Sequence, residues 1–253
     1  MRNKKTSAIT ILATSDLHGY LDGIEKACVD NKVDILVIAG DIQPADIFTN
    51  PNRWFLDTFV GLLKNLKALN VEVVAIEGNH DFWLKNNRAS IALFPDNFHL
   101  IYNESIGVKG ISFYGTPWVP YINGRWCYEG KDADNYYRMI PANVDVLITH
   151  SPPRIPYHHI DESTAWDKRY WKHFGSEVLY KTILEQKPKV NFCGHIHSGD
   201  HKGCTIKGKG DALGCLCHNV SRVDERYRIA YPFRIVKFAN GKIIESTTSN
   251  ADF

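Results

Sequence analysis

Four short apolar runs, rich in β-branched residues, constrain the fold of this 253-residue chain more than any other feature. They lie at residues 8–14, 33–39, 71–76 and 144–149. Runs of this length without polar alternation are typical of strands that are covered on both faces. Strands covered in this way belong to a parallel sheet with helices packed against it.

Helical patterns separate these runs. Asn50 as N-cap and Pro51 at the first helical position predict a helix between the second and third runs. Its apolar residues follow at spacings of three and four: Phe55, Phe59, Leu62, Leu63, Leu66 and Leu69. A weaker helix, with Leu21, Ile24 and Cys28 on one face, links the first two runs. The alternation predicts a parallel sheet with crossover connections.

The second half of the chain repeats this pattern once and then changes. A helix that begins near Ser176 and stops before Pro188 leads into a strand at 189–193. Strand-like segments follow around 213–220, 233–238 and 242–247. An antiparallel tail after a parallel start predicts two sheets. The segment 116–171 has no regular pattern and many aromatic residues.

Length, charge and cysteine content limit the class of protein. A chain of 253 residues can bury a full core, and we interpret residues 1–253 as one domain. The formal charge of +2 gives no sequence-wide field for nucleic acid or an acidic membrane surface. Six scattered cysteines lack the density of a disulfide scaffold, and no apolar run approaches the roughly 20 residues that span a bilayer. We therefore expect a soluble cytoplasmic protein.

Residues that can bind metal follow the carboxyl end of each of five strand-like runs. In chain order they are Asp16, His18, Asp41, Asn79, His150, His195 and His197. The ligand crevice of a parallel α/β sheet lies beyond the carboxyl ends of its strands, so these side chains are expected to converge. Each fragment alone is explained equally well as a turn or a helix cap. Five of them at the same end of their strands indicate one site.

The types of residue indicate the chemistry. Carboxylate, amide and imidazole ligands suit divalent Mn, Fe or Zn. Two such ions about 3.5–4 Å apart need a ligand that reaches both, and the two oxygens of Asp41 can do so. Metal binding lowers the pKa of water from about 15.7 to about 7. The pattern predicts two divalent ions that activate water against a phosphate ester, with His80 as an acid for the departing oxygen and Asp81 as its orienting carboxylate.

Five motifs together resemble the calcineurin-like metallophosphoesterase superfamily. They are Asp16-Leu17-His18-Gly19, Gly40-Asp41, Gly78-Asn79-His80-Asp81, Thr149-His150-Ser151-Pro152-Pro153 and Gly194-His195-Ile196-His197. The resemblance implies a four-layer αββα sandwich of two mixed β-sheets flanked by helices, with the metal site at the carboxyl ends of the strands. It implies one metal on Asp16, His18, Asp41 and His197, and a second on Asp41, Asn79, His150 and His195. It also implies that His80 is the leaving-group acid.

A narrower resemblance concerns the substrate. Gly115-Thr116-Pro117-Trp118, followed by the motif at 149–153, resembles the metallophosphoesterase-domain proteins related to the 239AB group. That branch implies hydrolysis of a phosphodiester, including cyclic nucleotides, by attack of a metal-bridging hydroxide. Residues 42–46 lack the Asp-Arg-Gly signature of the serine/threonine protein phosphatases. A protein phosphatase is therefore not expected.

Three alternatives stay open at the level of sequence. The same ligand set suits a phosphomonoester or a nucleotide pyrophosphate, and a metal-binding scaffold without turnover would keep the same fold. A small-molecule phosphate ester is the expected partner. A nuclease is disfavoured because no basic stripe is clustered along the chain. The sequence does not indicate an oligomeric state.

Three further features have an ordinary structural interpretation. Residues 203–209 fit the start of a phosphate-binding loop, but Gly210 stands where Ser or Thr is required, so we interpret 202–210 as a hairpin tip. The aromatic residues of 116–171 could stack on a substrate ring or form a satellite core, and we favour the core. They include Trp118, Tyr121, Trp126, Tyr157, His158, His159, Trp166 and Trp171. Cys215 and Cys217 are expected to pack in the interior.

Overall fold

Two six-stranded sheets pack face to face between outer helices. The computed structural model describes residues 8–154, 175–198, 201–209 and 213–249. The strands are β1 (Ile9–Thr14), β2 (Ile35–Ala39), β3 (Glu72–Ile76), β4 (Phe98–Leu100), β5 (Glu104–Val108), β6 (Ile111–Thr116), β7 (Val146–Thr149), β8 (Val190–Cys193), β9 (Cys204–Ile206), β10 (Cys215–Asn219), β11 (Arg234–Ala239) and β12 (Lys242–Thr248).

Five helical segments complete the described architecture, together with a short 3₁₀ turn at Arg88–Leu93. The helices are α1 (Ile24–Asp30), α2 (Pro51–Arg53, Trp54–Phe59 and Val60–Ala68 in succession), α3 (Phe82–Asn86), α4 (Ala133–Arg138) and α5 (Glu177–Gln186). The middle part of α2, Trp54–Phe59, is a π-helical segment. Such segments are rare and often mark functional sites.

Both sheets are mixed. The first has the strand order β12-β11-β1-β2-β3-β4, in which β1 to β4 are parallel and β11 and β12 are antiparallel to their neighbours. The second has the order β5-β6-β7-β8-β10-β9, in which β6, β7, β8 and β10 are parallel. The carboxyl ends of the parallel strands therefore gather at one edge of each sheet.

Three apolar layers hold these elements together. Val37 and Val74 of the first sheet pack against Phe113, Ile148 and Phe192 of the second, and all five are fully buried. A second layer lies between the first sheet and helices α1 and α2. A third joins α4 and α5 to the second sheet. The predicted four-layer αββα sandwich is confirmed.

The predicted caps form as the residue types require. The Asn50 side chain accepts a hydrogen bond from the Arg53 N–H at 3.1 Å, and the Ser176 hydroxyl accepts one from the Leu179 N–H at 3.0 Å. Leu69 lies beyond the end of α2 and is 44% exposed, so it falls outside the apolar stripe predicted for that helix.

Several details differ from the sequence-based expectations. The tail is not wholly antiparallel, because β10 joins β8 in parallel. The predicted hairpin tip at 202–210 contains strand β9, which pairs with β10. Helix α4 lies within the segment 116–171, for which the sequence predicts no regular element. Cys215 and Cys217 are buried, as predicted. That residues 1–253 form one domain stays a prediction.

In the described residues, no helix combines the length and the apolar character that crossing a membrane requires.

Candidate metal centre

The predicted ligand side chains come together where the two sheets meet. Four of them, Asp16, Asp41, Asn79 and His150, are at most 2% exposed. They follow β1, β2, β3 and β7, whose carboxyl ends share one edge of the sandwich. The convergence therefore follows from the parallel strand directions, as expected from the sequence.

One compact group consists of Asp16, His18 and His197. Their ligand atoms all lie within 4.8 Å of one another. The Nε2 atoms of His18 and His197 are 3.3 Å apart, and His197 Nε2 is 3.3 Å from Asp16 Oδ1. All three residues are buried, so the group is shielded from bulk water.

A second compact group consists of Asp16, Asp41 and His150, with ligand atoms again within 4.8 Å. His150 Nε2 is 3.3 Å from Asp41 Oδ2 and 2.9 Å from Asn79 Oδ1. Asp41 Oδ2 also lies 3.7 Å from His18 Nε2 in the first group. Asp41 Oδ1 accepts the His80 N–H at 2.7 Å, so it is the other oxygen, Oδ2, that faces both groups.

His195 lies beside these groups and belongs to neither. Its ring centroid is 5.2 Å from that of His150. Its backbone N–H donates to both carboxylate oxygens of Asp16, at 3.1 and 3.0 Å. The role of His195 as a ligand stays a prediction.

The donor set fits cations on geometric grounds. His150 Nδ1 lies 2.8 Å from the Ala39 carbonyl, and His197 Nδ1 lies 3.1 Å from the Asp224 carbonyl. A carbonyl only accepts, so each Nδ1 holds the proton, and in a neutral ring Nε2 then presents a lone pair. Those lone pairs face carboxylate and amide oxygens, which are also acceptors. Divalent cations resolve such a convergence, and a backbone partner at the outer nitrogen is the usual support of a metal-binding histidine.

The electrostatics point the same way. Burial alone would lower the pKa of His150, but the charge and hydrogen bond of Asp41 raise it to about 9. Burial alone would also lower the pKa of His197, but its hydrogen bond with Asp16 raises that pKa to about 9. Burial lowers the pKa of His18 to about 4. The buried carboxylates thus attract positive charge, and protons compete with metal ions for the site.

Backbone strain marks the same loops. Asp16, His18, Asp41 and His195 all have positive φ, between 44° and 68°. Few residues other than glycine adopt this region, and such strain persists mainly at functional sites, where the surroundings enforce it. These positions are therefore held in place to present their side chains inward.

Two supporting residues have no signal in the sequence. The Ser221 hydroxyl donates to Asp16 Oδ2 at 2.6 Å, and the Asp224 carbonyl accepts from His197. Both lie on the segment after β10, which reaches the site because Ser15 and Ser221 form an isolated parallel bridge. No motif or periodicity precedes either residue.

His80 and Asp81 lie beside the ligands but face different neighbours. The His80 ring is 5.0 Å from the His18 ring and stacks on Trp126 at 4.3 Å. The Asp81 carboxylate accepts backbone N–H groups of Ile42 at 2.9 Å, Gln43 at 2.8 Å and Gly78 at 2.7 Å. It therefore ties the loop after β2 to the loop after β3. The predicted catalytic roles of His80 and Asp81 stay predictions.

A cavity of about 580 Å³ opens beside His18 and His80. Aromatic side chains form much of its wall, namely Tyr20, Trp54, Trp126 and Tyr227. Tyr227 has no counterpart in the sequence-based predictions. Its ring lies 4.7 Å from that of His18.

The aromatic residues of 116–171 divide between core and cavity. Trp118 stacks on Tyr136 at 4.1 Å and packs edge-on against Tyr128, as a satellite core requires. Trp126 lines the cavity instead, and Tyr121 is 56% exposed. The remaining members, Tyr157, His158, His159, Trp166 and Trp171, lie outside the described residues.

Comparison with known proteins decides the family. The sequence profile of the calcineurin-like phosphoesterases matches residues 9–199, which include all seven predicted ligands. The chain belongs to the calcineurin-like phosphoesterase family. The resemblance inferred from its motifs is confirmed. Because this family is metal-dependent, the two ligand groups are candidates for binding metal. A phosphoesterase activity is the activity that membership supports.

Individual relatives agree with this family. The chain is 30% identical over 219 residues to the UPF0046 protein T07D4.2 of Caenorhabditis elegans, covering 74% of this chain and 51% of that protein. It is 30% identical over 117 residues to metallophosphoesterase domain-containing protein 1 of Homo sapiens, covering 45% of this chain and 33% of that protein. The chain thus spans about half, or less, of these two relatives.

Solved structures share the fold of this calcineurin-like phosphoesterase. TT1561 of Thermus thermophilus aligns with a TM-score of 0.55 at 14% identity, covering 96% of this chain and 99% of that one. Another crystal structure aligns with a TM-score of 0.65 at 15% identity, covering 96% and 100%. At this level of identity the likeness concerns the fold alone.

Proposed function

We propose that the protein hydrolyses a phosphodiester bond in a small-molecule ester, cyclic nucleotides included. One observation carries the proposal: histidine Nε2 atoms and carboxylate oxygens face each other in two buried groups that share Asp16, with Asp41 Oδ2 between them. This arrangement suits two neighbouring cations, and paired cations are a common device of phosphoester hydrolysis.

The residues that would hold the ions follow from the ligand groups. We assign Asp16, His18, Asp41 and His197 to one ion and Asp41, Asn79, His150 and His195 to the other. The donor set suits Mn, Fe or Zn. When bound, the ions supply the acidity that ionises water near neutral pH and the charge that offsets the phosphate. Ser221 and Asp224 would keep Asp16 and His197 in orientation.

His80 is the proposed acid for the departing oxygen. Its backbone N–H donates to Asp41 Oδ1, which fixes the backbone of His80 relative to the ligands, and its ring stacks on Trp126. The ring is half-buried and lines the cavity next to His18. A proton held there is within reach of an ester oxygen in the cavity and shielded from bulk water by Trp126.

The cavity supports a diester over a monoester. A diester carries a second substituent and one negative charge fewer than a monoester dianion. About 580 Å³ is enough for an organic group, because small-molecule pockets span about 300–1,000 Å³. Among the lining residues in the described part of the chain, none is lysine or arginine. That composition suits the less charged ester.

The test compares a bis-aryl phosphodiester with an aryl phosphomonoester on protein stripped of metal and refilled with Mn²⁺. We expect metal-dependent turnover with a higher kcat/KM for the diester, abolished in Asp41→Ala. Asp30→Ala, which removes an exposed carboxylate paired with Lys26, is the matched control. Two bound ions without turnover of either ester would contradict the proposal and favour a scaffold.

The role of His80 has its own test. General acid catalysis is worth about 10²–10⁴-fold, and it matters more for an alkoxide than for an acidic phenol. His80→Asn should therefore slow an ester with a poor leaving group far more than one with a nitrophenol. His99→Asn, at a partly exposed histidine bonded to Glu72, is the control. Equal losses for both esters would exclude His80 as the acid.

A further inference from the structure

We propose that the cavity beside His80 is a subsite for an uncharged ring on the substrate, and that Trp126 and Tyr227 are its recognition residues. The inference rests on the proposed function, because it concerns the substituent of the phosphate ester. Both side chains line the cavity and both rings contact His80, at 4.3 Å and 6.4 Å between centroids.

Trp126 is held rigidly against the loop that follows β3. The N–H of its neighbour Cys127 donates to the Asn79 carbonyl at 2.9 Å. The Tyr128 hydroxyl donates to Glu77 Oε1 at 2.8 Å, and Glu77 is fully buried. These two bonds tie the loop that carries Trp126 to the loop that carries Asn79. An aromatic wall fixed in this way binds a planar ring without losing further side-chain entropy.

Tyr227 is held at a conformational cost. Its φ is +58°, a value that is an outlier for a bulky residue. The turn is closed by the Tyr227 N–H, which donates to the Asp224 carbonyl at 2.9 Å, and by the Asp224 carboxylate, which accepts the Arg228 N–H at 3.0 Å. The strain places the phenol ring 4.7 Å from His18 and 5.3 Å from His197. Strain of this kind indicates a functional constraint on the ring.

The charge of the cavity selects against anionic substituents. Asp46 is the acidic residue at the rim, and its carboxylate accepts the N–H groups of Phe48 and Thr49 at 2.9 and 2.8 Å. Hydrogen bonds from Thr49 lower the pKa of Asp46, so it is ionised at neutral pH. Among the lining residues in the described part of the chain, no lysine or arginine adds a positive side chain beside this carboxylate. An apolar ring is thus accepted more readily than a second phosphate.

Binding of non-hydrolysable phosphonates tests the subsite separately from turnover. Phenylphosphonate, methylphosphonate and 4-carboxyphenylphosphonate are titrated calorimetrically into the Mn²⁺-loaded protein. The methyl compound reports the metal centre, and the ratio of phenyl to methyl affinity reports the ring subsite. Stacking on an aromatic side chain is worth at least about fivefold in affinity, so the wild-type ratio should be at least about five. The carboxylated ring should bind more weakly than phenyl.

Three variants complete the design. Trp126→Leu and Tyr227→Asn should each lower the phenyl-to-methyl ratio several-fold, and asparagine suits the positive φ of position 227. Tyr121→Leu removes an exposed tyrosine of the same loop that does not line the cavity, and the ratio should not change. A ratio that stays at the wild-type value in both Trp126→Leu and Tyr227→Asn would overturn the subsite.

The outcomes separate this inference from the proposed function. Ring preference that depends on Trp126 and Tyr227 supports the subsite even where no ester is turned over. Turnover of esters without that preference leaves the hydrolase standing and overturns the subsite. Tighter binding of the carboxylated ring than of phenylphosphonate would overturn the requirement for an uncharged group.

Discussion

Adding a single methyl group at Gly78 should disrupt the metal centre. A Cβ at this position would lie 2.2 Å from Asp41 Oδ1 and 2.4 Å from the Asp41 backbone nitrogen. It would also lie 2.7 Å from His150 Cε1. Non-bonded heavy atoms prefer about 3.5–4.0 Å, so Asp41 must move by about 1 Å to accommodate alanine.

The expected magnitude follows from these distances. Overpacking of this kind costs about 1–3 kcal/mol of unfolding free energy. Metal–ligand distances are expected to lie within about 0.2 Å of their usual values. Because Asp41 Oδ2 faces both ligand groups, a shift of Asp41 would affect both of the proposed ions. We expect Gly78→Ala to lose at least about 10–100-fold in metal affinity, the range found when support of a ligand is removed.

The assay is calorimetric titration of Mn²⁺ into metal-stripped protein, with urea unfolding for stability. Gly61→Ala is the matched control, because Gly61 lies inside helix α2 and no atom outside its own helix lies within 4 Å of the added Cβ. Alanine there should raise the unfolding free energy by about 0.5–1 kcal/mol and leave metal binding unchanged. Wild-type affinity and two-ion stoichiometry in Gly78→Ala would refute the reasoning.

Three further predictions concern other parts of the molecule. Asp81→Asn should leave the buried Gly78 N–H without its acceptor, lower the unfolding free energy by about 1–3 kcal/mol and weaken Mn²⁺ binding. Unchanged Mn²⁺ affinity would contradict the role of Asp81 in tying the two loops together. Burial, with Arg234, lowers the pKa of His218 from 6.5 to about 3. Below about pH 6.5 the unfolded chain therefore binds a proton that the folded chain does not bind. The unfolding free energy falls as the pH drops below about 6.5, and at about pH 5 it is lower by about 2 kcal/mol. His218→Gln should flatten that part of the pH profile measured by urea unfolding. Removing metal with a chelator should lower the unfolding free energy. The loss should be about 2.7 kcal/mol for each ion whose free concentration was a hundred times its Kd. An unchanged melting temperature would argue against ions in the folded state.

The sequence predicts the ligand loops because their geometry follows from strand direction. Residues 8–14, 33–39 and 71–76 contain β1, β2 and β3, and the parallel pairing of these strands brings Asp16 and Asp41 to one edge. Caps and periodicity are local, so a single sequence carries them in full. These local features can be recognised without knowing which distant segments of the chain pair with one another.

What the sequence does not predict depends on contacts between distant segments. Ser221 lies 205 residues from Asp16 in the sequence and reaches it because β10 joins β8 in parallel and Ser221 then bridges Ser15. Tyr227 lies in an irregular turn and has a positive φ. It is neither glycine nor asparagine, so its residue type does not predict this conformation. Short strands such as β4, with three residues, likewise depend on pairing for their existence. A serine in a polar tail has no distinctive pattern until the fold supplies its partner.

Asp81 lies beside His80 in the sequence, and its carboxylate has backbone partners of its own. The prediction that Asp81 orients His80 rests on their neighbouring positions. The turn from Gly78 to Asp81 directs the carboxylate back to the Gly78 N–H and across to the N–H groups of Ile42 and Gln43, while the His80 ring faces Trp126. A fully buried carboxylate is stabilised by such backbone donors, and burial with the charge of Asp41 raises its pKa to about 8. Cations held by Asp41 would offset that repulsion, so binding at the metal centre and closure of the two loops should stabilise each other.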